Sequence, residues 1–248
     1  MKTRTMLDSI KRWLGQPVPQ ISGWADLSAW ARMHERQLRP VREPAGFVVE
    51  GRSGDHGWRL EWGPSQRGYI PGAELRLRAE LSVPRELQAL VLNRALMDKL
   101  ESTVFDQYVE GVQTRIDTDT PPEMRWLVMF PRLSATEMGA LRDTYGALAS
   151  IKPWVQQWLA GSLSNGLAQL PLAPDAPLVL MVSRRRLSLR TALPHPEPEL
   201  LDGWVSLFEN ALRQAQRVSV DDRDLQGAST QPSLFPTSVM PAEALRKG

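Results

Sequence analysis

The sequence predicts an α+β fold: antiparallel strands with packed amphipathic helices, two small lobes and a disordered C-terminal tail. Three observations predict it. Between Gly- and Pro-rich connections, residues 46–51 form a short β-branched run and residues 58–62 and 74–81 alternate apolar and polar side chains, as an antiparallel meander with one buried and one wet face does. Residues 198–217 repeat apolar positions at the helical period. Strands and helices also come in mixed order, unlike the regular alternation of a doubly wound parallel sheet.

Taken in order, the first segment, 1–42, reads as helical. Met6, Leu7, Ile10, Trp13 and Leu14 form an apolar stripe with Arg4, Lys11 and Arg12 opposite. Pro17 and Pro19 interrupt it, and Trp24, Leu27, Ala31, His34 and Leu38 repeat the pattern up to Pro40 and Pro44. The first lobe, 43–118, opens with three strands: GFVVEG (46–51), WRLEW (58–62) and ELRLRAEL (74–81). A helix is expected from Pro84 to about Leu100, well buried because Leu87, Leu90, Val91, Leu92, Leu96 and Leu100 cover more than one face. The polar, Pro-terminated stretch QTRIDTDTPP marks the boundary to the next lobe.

The second lobe, 119–218, begins with MRWLVMF (124–130), read as a strand. Ser134 and Glu137 form an S-x-x-E capping box, with Leu133 and Met138 at the staple positions. The helix they start should bury Met138, Leu141, Tyr145 and Leu148. Pro153 opens another helix, carrying Trp154, Trp158, Leu159 and Leu163. LVLMV (178–182) and LSLRTAL (187–193) read as a hairpin. The helix from Pro198 to Arg217, with Leu201, Trp204, Phe208, Ala211 and Leu212 on one side, should dock on the hairpin's sheet. Residues 219–248 show no periodicity and are expected to be a disordered tail.

Composition narrows the function. A chain of 248 residues, 42% apolar and 23% charged, can bury a sizeable core, which excludes global disorder. The absence of cysteine excludes disulfides, thiol nucleophiles and cysteine–zinc sites, and fits a reducing compartment. No apolar run approaches the roughly 18 residues of a membrane span. The N-terminus lacks the apolar centre and cleavage site of a secretory signal, so a cytoplasmic location is expected. Net charge is only +2, although the pI is about 9.1. Five of the 30 basic residues are lysines; the rest are arginines, as a GC-rich genome would give. So small a net charge makes no broad field for nucleic acid, and Asp8 breaks the basic stripe that an anionic membrane would need. Neither partner is expected.

No catalytic constellation is legible. The three histidines, His34, His56 and His195, lie far apart in sequence with no nucleophile motif around them. The glycine patterns of dinucleotide and P-loop sites are missing, as is the G-x-S-x-G elbow. Asp117, Asp119 and Glu123 offer oxygen ligands, but too few and between too many prolines for a cation loop. No metal or cofactor is therefore expected. Most of the nine tryptophans fall on apolar stripes and read as core. Arg184, Arg185 and Arg186 form the densest charge run, at a hairpin tip where guanidinium forks can hold phosphate or carboxylate.

One sharper pattern lies in the tail. Gln231-Pro232-Ser233-Leu234-Phe235 resembles the short peptide by which bacterial polymerases and repair proteins dock on the sliding clamp, although Pro232 stands where leucine is usual. The resemblance implies that Leu234 and Phe235 fill an apolar pocket on the partner, with Gln231 and Ser233 supplying oriented hydrogen bonds. The sequence thus reads as a non-catalytic interaction protein with a partner-docking tail. The alternatives are an enzyme with a dispersed polar site and a weak nucleic-acid binder acting through Arg184–Arg186.

Overall fold

A computed structural model of the chain describes residues 23–109, 120–173 and 175–228. Helix α1 (Trp24–Met33) buries Leu27, Trp30 and Ala31. Strand β1 (Gln37–Val41) follows, an edge strand, where Pro40 is tolerated because a backbone donor there is not required by a second neighbour. Strands β2 (Gly46–Ser53), β3 (His56–Pro64) and β4 (Ala73–Glu80) continue the antiparallel meander. Strand β5 (Ala89–Asn93) runs straight into helix α2 (Arg94–Val109), and helix α3 (Pro122–Met129) lies beyond the undescribed stretch. The one-turn helix α4 (Ala135–Met138) leads through a 3-10 turn to strand β6 (Tyr145–Ala149). Helices α5 (Lys152–Leu159) and α6 (Ser162–Ala168), the hairpin β7 (Leu178–Ser183) and β8 (Arg186–Ala192), and the long helix α7 (Pro198–Ala228) complete the chain.

The fold is α+β, with one eight-stranded antiparallel sheet in the order β1-β2-β3-β4-β8-β7-β5-β6. Strands from both expected lobes join in it. The seam is the β4–β8 pair, in register from Glu74 opposite Ala192 to Glu80 opposite Arg186. One face is apolar along its length. Phe47, Val49, Leu60, Leu75 and Leu77 from the meander and Leu180, Leu187 and Leu189 from the hairpin pack with α1, α5, α6 and α7 in one cluster. Helix α7 supplies the ridge Leu201, Val205, Phe208, Ala211, Leu212 and Ala215, each fully or almost fully buried and each large apolar one worth about 1.5–3 kcal/mol of transfer free energy. Among the described residues, the other face is covered at the β5–β6–β7 end, where Leu90, Leu92, Leu148, Val179 and Met181 meet Leu96, Met97, Leu100, Trp126 and Leu127 of α2 and α3. That cluster contains no residue of β2, β3, β4 or β8.

The meander, the hairpin, the helix at Pro153, the capping box and the docking of the last helix on the sheet agree with the sequence reading. Several expectations are corrected. Residues 124–130 form most of a helix, not a strand: Pro122 sits in its first turn, Met124, Trp126 and Leu127 are buried, and Val128 and Met129 are exposed. Residues 89–93 are a strand, and the helix starts only at Arg94; β5 is covered on both faces, so its all-apolar run carries no alternation. The capped helix ends at once, because Gly139 adopts φ +53 and turns the chain, so Tyr145 and Leu148 belong to β6. Leu38 lies in β1. Helix α7 is described as far as Ala228. The N-terminal stripe, Asp117 and Asp119, and Gln231–Phe235 lie outside the described residues.

Candidate functional site

The uncovered half of the second sheet face is charged, and strand alternation explains why. Leu60, Leu75, Leu77, Leu187 and Leu189 point into the core, so the residues between them point the other way: Arg59 and Glu61 of β3, Glu74, Arg76 and Arg78 of β4, Ser188 and Arg190 of β8. Register aligns them in rows. Glu61 lies opposite Arg76, which lies opposite Arg190; in the next row Arg59, Arg78 and Ser188 are opposite one another. Like charges therefore face each other twice, at Arg59/Arg78 and Arg76/Arg190, an arrangement that is destabilising unless anions intervene.

Carboxylates intervene in part. Glu74, fully buried, accepts from Arg190 Nη1 at 2.6 Å and from Arg76 Nη1 at 3.3 Å. Glu61 takes Arg59 Nε at 2.7 Å and lies 3.1 Å from Arg78 Nη2. Burial pushes the Glu61 carboxyl up, but the Arg59 hydrogen bond and the charges of Arg78, Arg59 and Arg76 outweigh it and hold the group below its ordinary value. Arg76 Nε is buried and makes no hydrogen bond, but it lies 3.5 Å from Glu61 Oε2 as an ion pair.

Between these strands and the β7–β8 hairpin lies a pocket of about 370 Å³, whose lining includes Arg76, Arg78, Arg184, Arg186 and Arg190 together with Glu61 and Ser188. The hairpin tip is a two-residue turn in which Arg184 has φ +50 and Arg185 φ +63. Two positive φ values are the mark of a type I′ turn, which favours Asn-Gly. In an L-residue with a Cβ this conformation costs about 1–2 kcal/mol. Leu81 N–H donates to the Arg185 carbonyl at 2.7 Å and ties the tip to the end of β4. The arginine triplet does not act as a unit. Arg186 forks onto Glu80 at 2.8 and 2.9 Å, Arg184 lines the pocket, and Arg185 is exposed outside it.

Beside the pocket, the loop between β3 and β4 joins two buried carboxylates. Gln66 N–H donates to Glu74 at 2.8 Å. The next residue, Arg67, donates its Nε to Glu123 at 2.6 Å, and Tyr69 O–H donates to the same oxygen. Glu123 is fully buried, and its second oxygen has no hydrogen-bond partner. Burial, reinforced by the neighbouring Glu123 carboxylate, drives the Tyr69 hydroxyl far above its ordinary pKa, so it stays a donor. Sequence reasoning considered Glu123 as a cation ligand; its partners are instead a guanidinium and a phenol. Among the described residues, no group of three or more His, Asp or Glu could hold a metal ion.

A larger groove, about 770 Å³, wraps the far end of the sheet. There the Arg36 guanidinium lies 4.8 Å from the Trp30 ring centre and 5.4 Å from that of Trp58. Trp58 Nε1 donates to Glu209 at 2.8 Å. Asp202 accepts from Trp30 Nε1 at 2.8 Å and lies 3.5 Å from His34 Nε2. Asp202 also lies 3.3 Å from Arg36 Nη1. His56, at the start of β3, and His195, beyond β8, do not line the groove.

Fold and site together define an α+β protein with an open, arginine-lined half-sheet. No protein family matches the chain, and no curated protein does. Among solved structures, the chain is similar to the crystal structure of the mycobacterial trehalose monomycolate transport factor A, TtfA, at 8% identity and a TM-score of 0.44. The match covers 79% of this chain and 94% of that chain, a likeness too weak to carry an argument. Among the described residues, no helix is long and apolar enough to cross a membrane.

Proposed function

We propose that the chain is a non-catalytic interaction protein that receives an anionic partner on the arginine-lined half of its sheet. The carrying observation is the paired like charges, Arg76 opposite Arg190 and Arg59 opposite Arg78, on a half-face that no helix among the described residues covers. Glu74 and Glu61 offset these repulsions in part, and an anion laid across the face would offset them further. The test is the anisotropy of a labelled polyglutamate peptide titrated with the full chain at rising salt. Saturable binding that weakens steadily with salt and is lost in Arg78→Glu supports the reading. Binding that is absent, or insensitive to both salt and Arg78→Glu, overturns it.

A second contact rests on the sequence of the tail. Gln231, Ser233, Leu234 and Phe235 match the clamp-docking pattern and would let the body hold one partner while the tail holds another. Purified sliding clamp should bind the full chain and lose the Leu234→Ala/Phe235→Ala variant. Equal affinity for both removes the tail from the proposal.

A further inference from the structure

We propose that the pocket between β4 and the β7–β8 hairpin seats a phosphoryl dianion, held by Arg76, Arg78, Arg184 and Arg190 with the Ser188 hydroxyl as a neutral donor. This rests on the arginine face being a binding surface and names the group it takes.

Charge makes the first argument. Five arginines line the pocket, and the carboxylates they pair with are Glu61, Glu74 and Glu80, which leaves two positive charges uncompensated. A phosphomonoester near neutral pH carries about −1.5 to −2. The larger groove offers no such excess, since Arg36, Arg52, Arg59 and Arg78 there face as many glutamates.

Geometry makes the second. Arg76 and Arg190 are cross-strand neighbours, and Arg78 and Ser188 are the neighbours one row along, so four donors mark the corners of one patch. Opposed Cβ atoms in such pairs lie about 4.5–5.5 Å apart. A planar carboxylate satisfies one guanidinium fork, and Glu61 and Glu74 already supply that service. A tetrahedral phosphoryl group presents three oxygens to donors arriving from different strands. Donor capacity remains: Arg76 Nε makes no hydrogen bond, its nearest carboxylate oxygen being Glu61 Oε2 at 3.5 Å, and Arg184 lines the pocket without a described side-chain partner. The volume of about 370 Å³ admits a phosphate with a small attached group.

The turn makes the third. Asn-Gly would relieve both positive φ values at the tip, yet arginine occupies each. Of the two, Arg184 puts its side chain on the pocket lining. Arg185, outside the pocket, is the internal control.

The experiment is calorimetric titration of the full chain with phenyl phosphate, inorganic phosphate and benzoate at matched ionic strength. Phenyl phosphate should saturate one site and bind about tenfold more tightly than benzoate, the worth of one charge-assisted contact. Arg185→Gly should raise the melting temperature and leave phosphate affinity unchanged. Arg184→Asn/Arg185→Gly should raise the melting temperature further but weaken phosphate binding about tenfold, a loss that instability cannot explain. A phosphoserine peptide that outbinds inorganic phosphate points to a modified protein as the source; equal affinity points to free phosphate, and either supports the site. Benzoate binding as tightly as phenyl phosphate, or full phosphate affinity in the double variant, overturns the proposal. If polyglutamate still binds in a salt-dependent way, the arginine face survives without the phosphoryl specificity. If nothing anionic binds, both readings fall.

Discussion

Replacing Glu123 in two ways separates the worth of its shape from the worth of its charge. Both donors, Arg67 Nε and Tyr69 O–H, converge on one carboxylate oxygen, and the second oxygen has no hydrogen-bond partner. In Glu123→Gln the amide oxygen can take the first seat and keep both bonds, while the NH₂ takes the second, where no donor opposes it. What is lost is the charge assistance of the Arg67 bond, and Arg67 itself retains 19% exposure to water. The expected cost is about 1 kcal/mol, the difference between a charged and a neutral hydrogen bond. Glu123→Ala instead leaves a guanidinium and a phenol unpaired next to a new cavity, and should cost about 3–5 kcal/mol. Urea unfolding followed by tryptophan fluorescence measures both, with Trp126 on the same helix as a reporter. If glutamine proves as costly as alanine, the asymmetric seating of the two oxygens is wrong. If alanine costs under about 1 kcal/mol, the buried pair is not holding α3 to the loop at all.

Two further predictions concern stability. The Ser134 N–H, with Lys152 and the Ser134 hydroxyl, holds the Glu137 carboxyl at about 2, below its ordinary 4.5. A depressed folded pKa stabilises fully above 4.5 and loses that contribution as pH falls towards 2, so the stability gap between the natural chain and Glu137→Gln should close across that interval. A gap of constant size at all pH values would refute it. A Cβ on Gly51 would lie 2.3 Å from the Trp58 ring, so Gly51→Ala must displace the indole that stacks on Arg36 and donates to Glu209. A loss of about 1–3 kcal/mol with altered tryptophan emission is expected, and an unperturbed spectrum at full stability would show that the ring is not packed there.

What was legible in the sequence followed one physical rule. Strands β3, β4 and β8 have one buried and one wet face, and they announce themselves by alternation, while β2 shows itself by its β-branched run. Strand β5 is sandwiched between two layers and loses that signal, while Gly146 in β6 lies beside Met97, a contact that no local window contains. Helix α3 is too short to display a period, so its aromatic and apolar content imitated a strand. The site was half legible in the same way. Arg184–Arg186 stand out as a run, whereas Arg76, Arg78 and Arg190 were visible only as the polar half of a strand pattern. Nothing local marks Glu74 or Glu123, because their burial is decided by elements distant in sequence: Arg67 and Glu123 are 56 residues apart, and Glu74 and Arg190 are 116 apart.

The β4–β8 seam also sets an order of events during synthesis. Glu80 and Arg186 are 106 residues apart, which at ribosomal speeds is roughly 5–20 s of elongation. Through that interval the finished meander carries Leu60, Leu75 and Leu77 with neither hairpin nor last helix to cover them, and Trp30 awaits Asp202 across 172 residues. The apolar side of the nascent sheet is thus the surface a chaperone would meet first. A chain released before β8 is made would keep that side bare and leave β4 as a sticky, unpaired border.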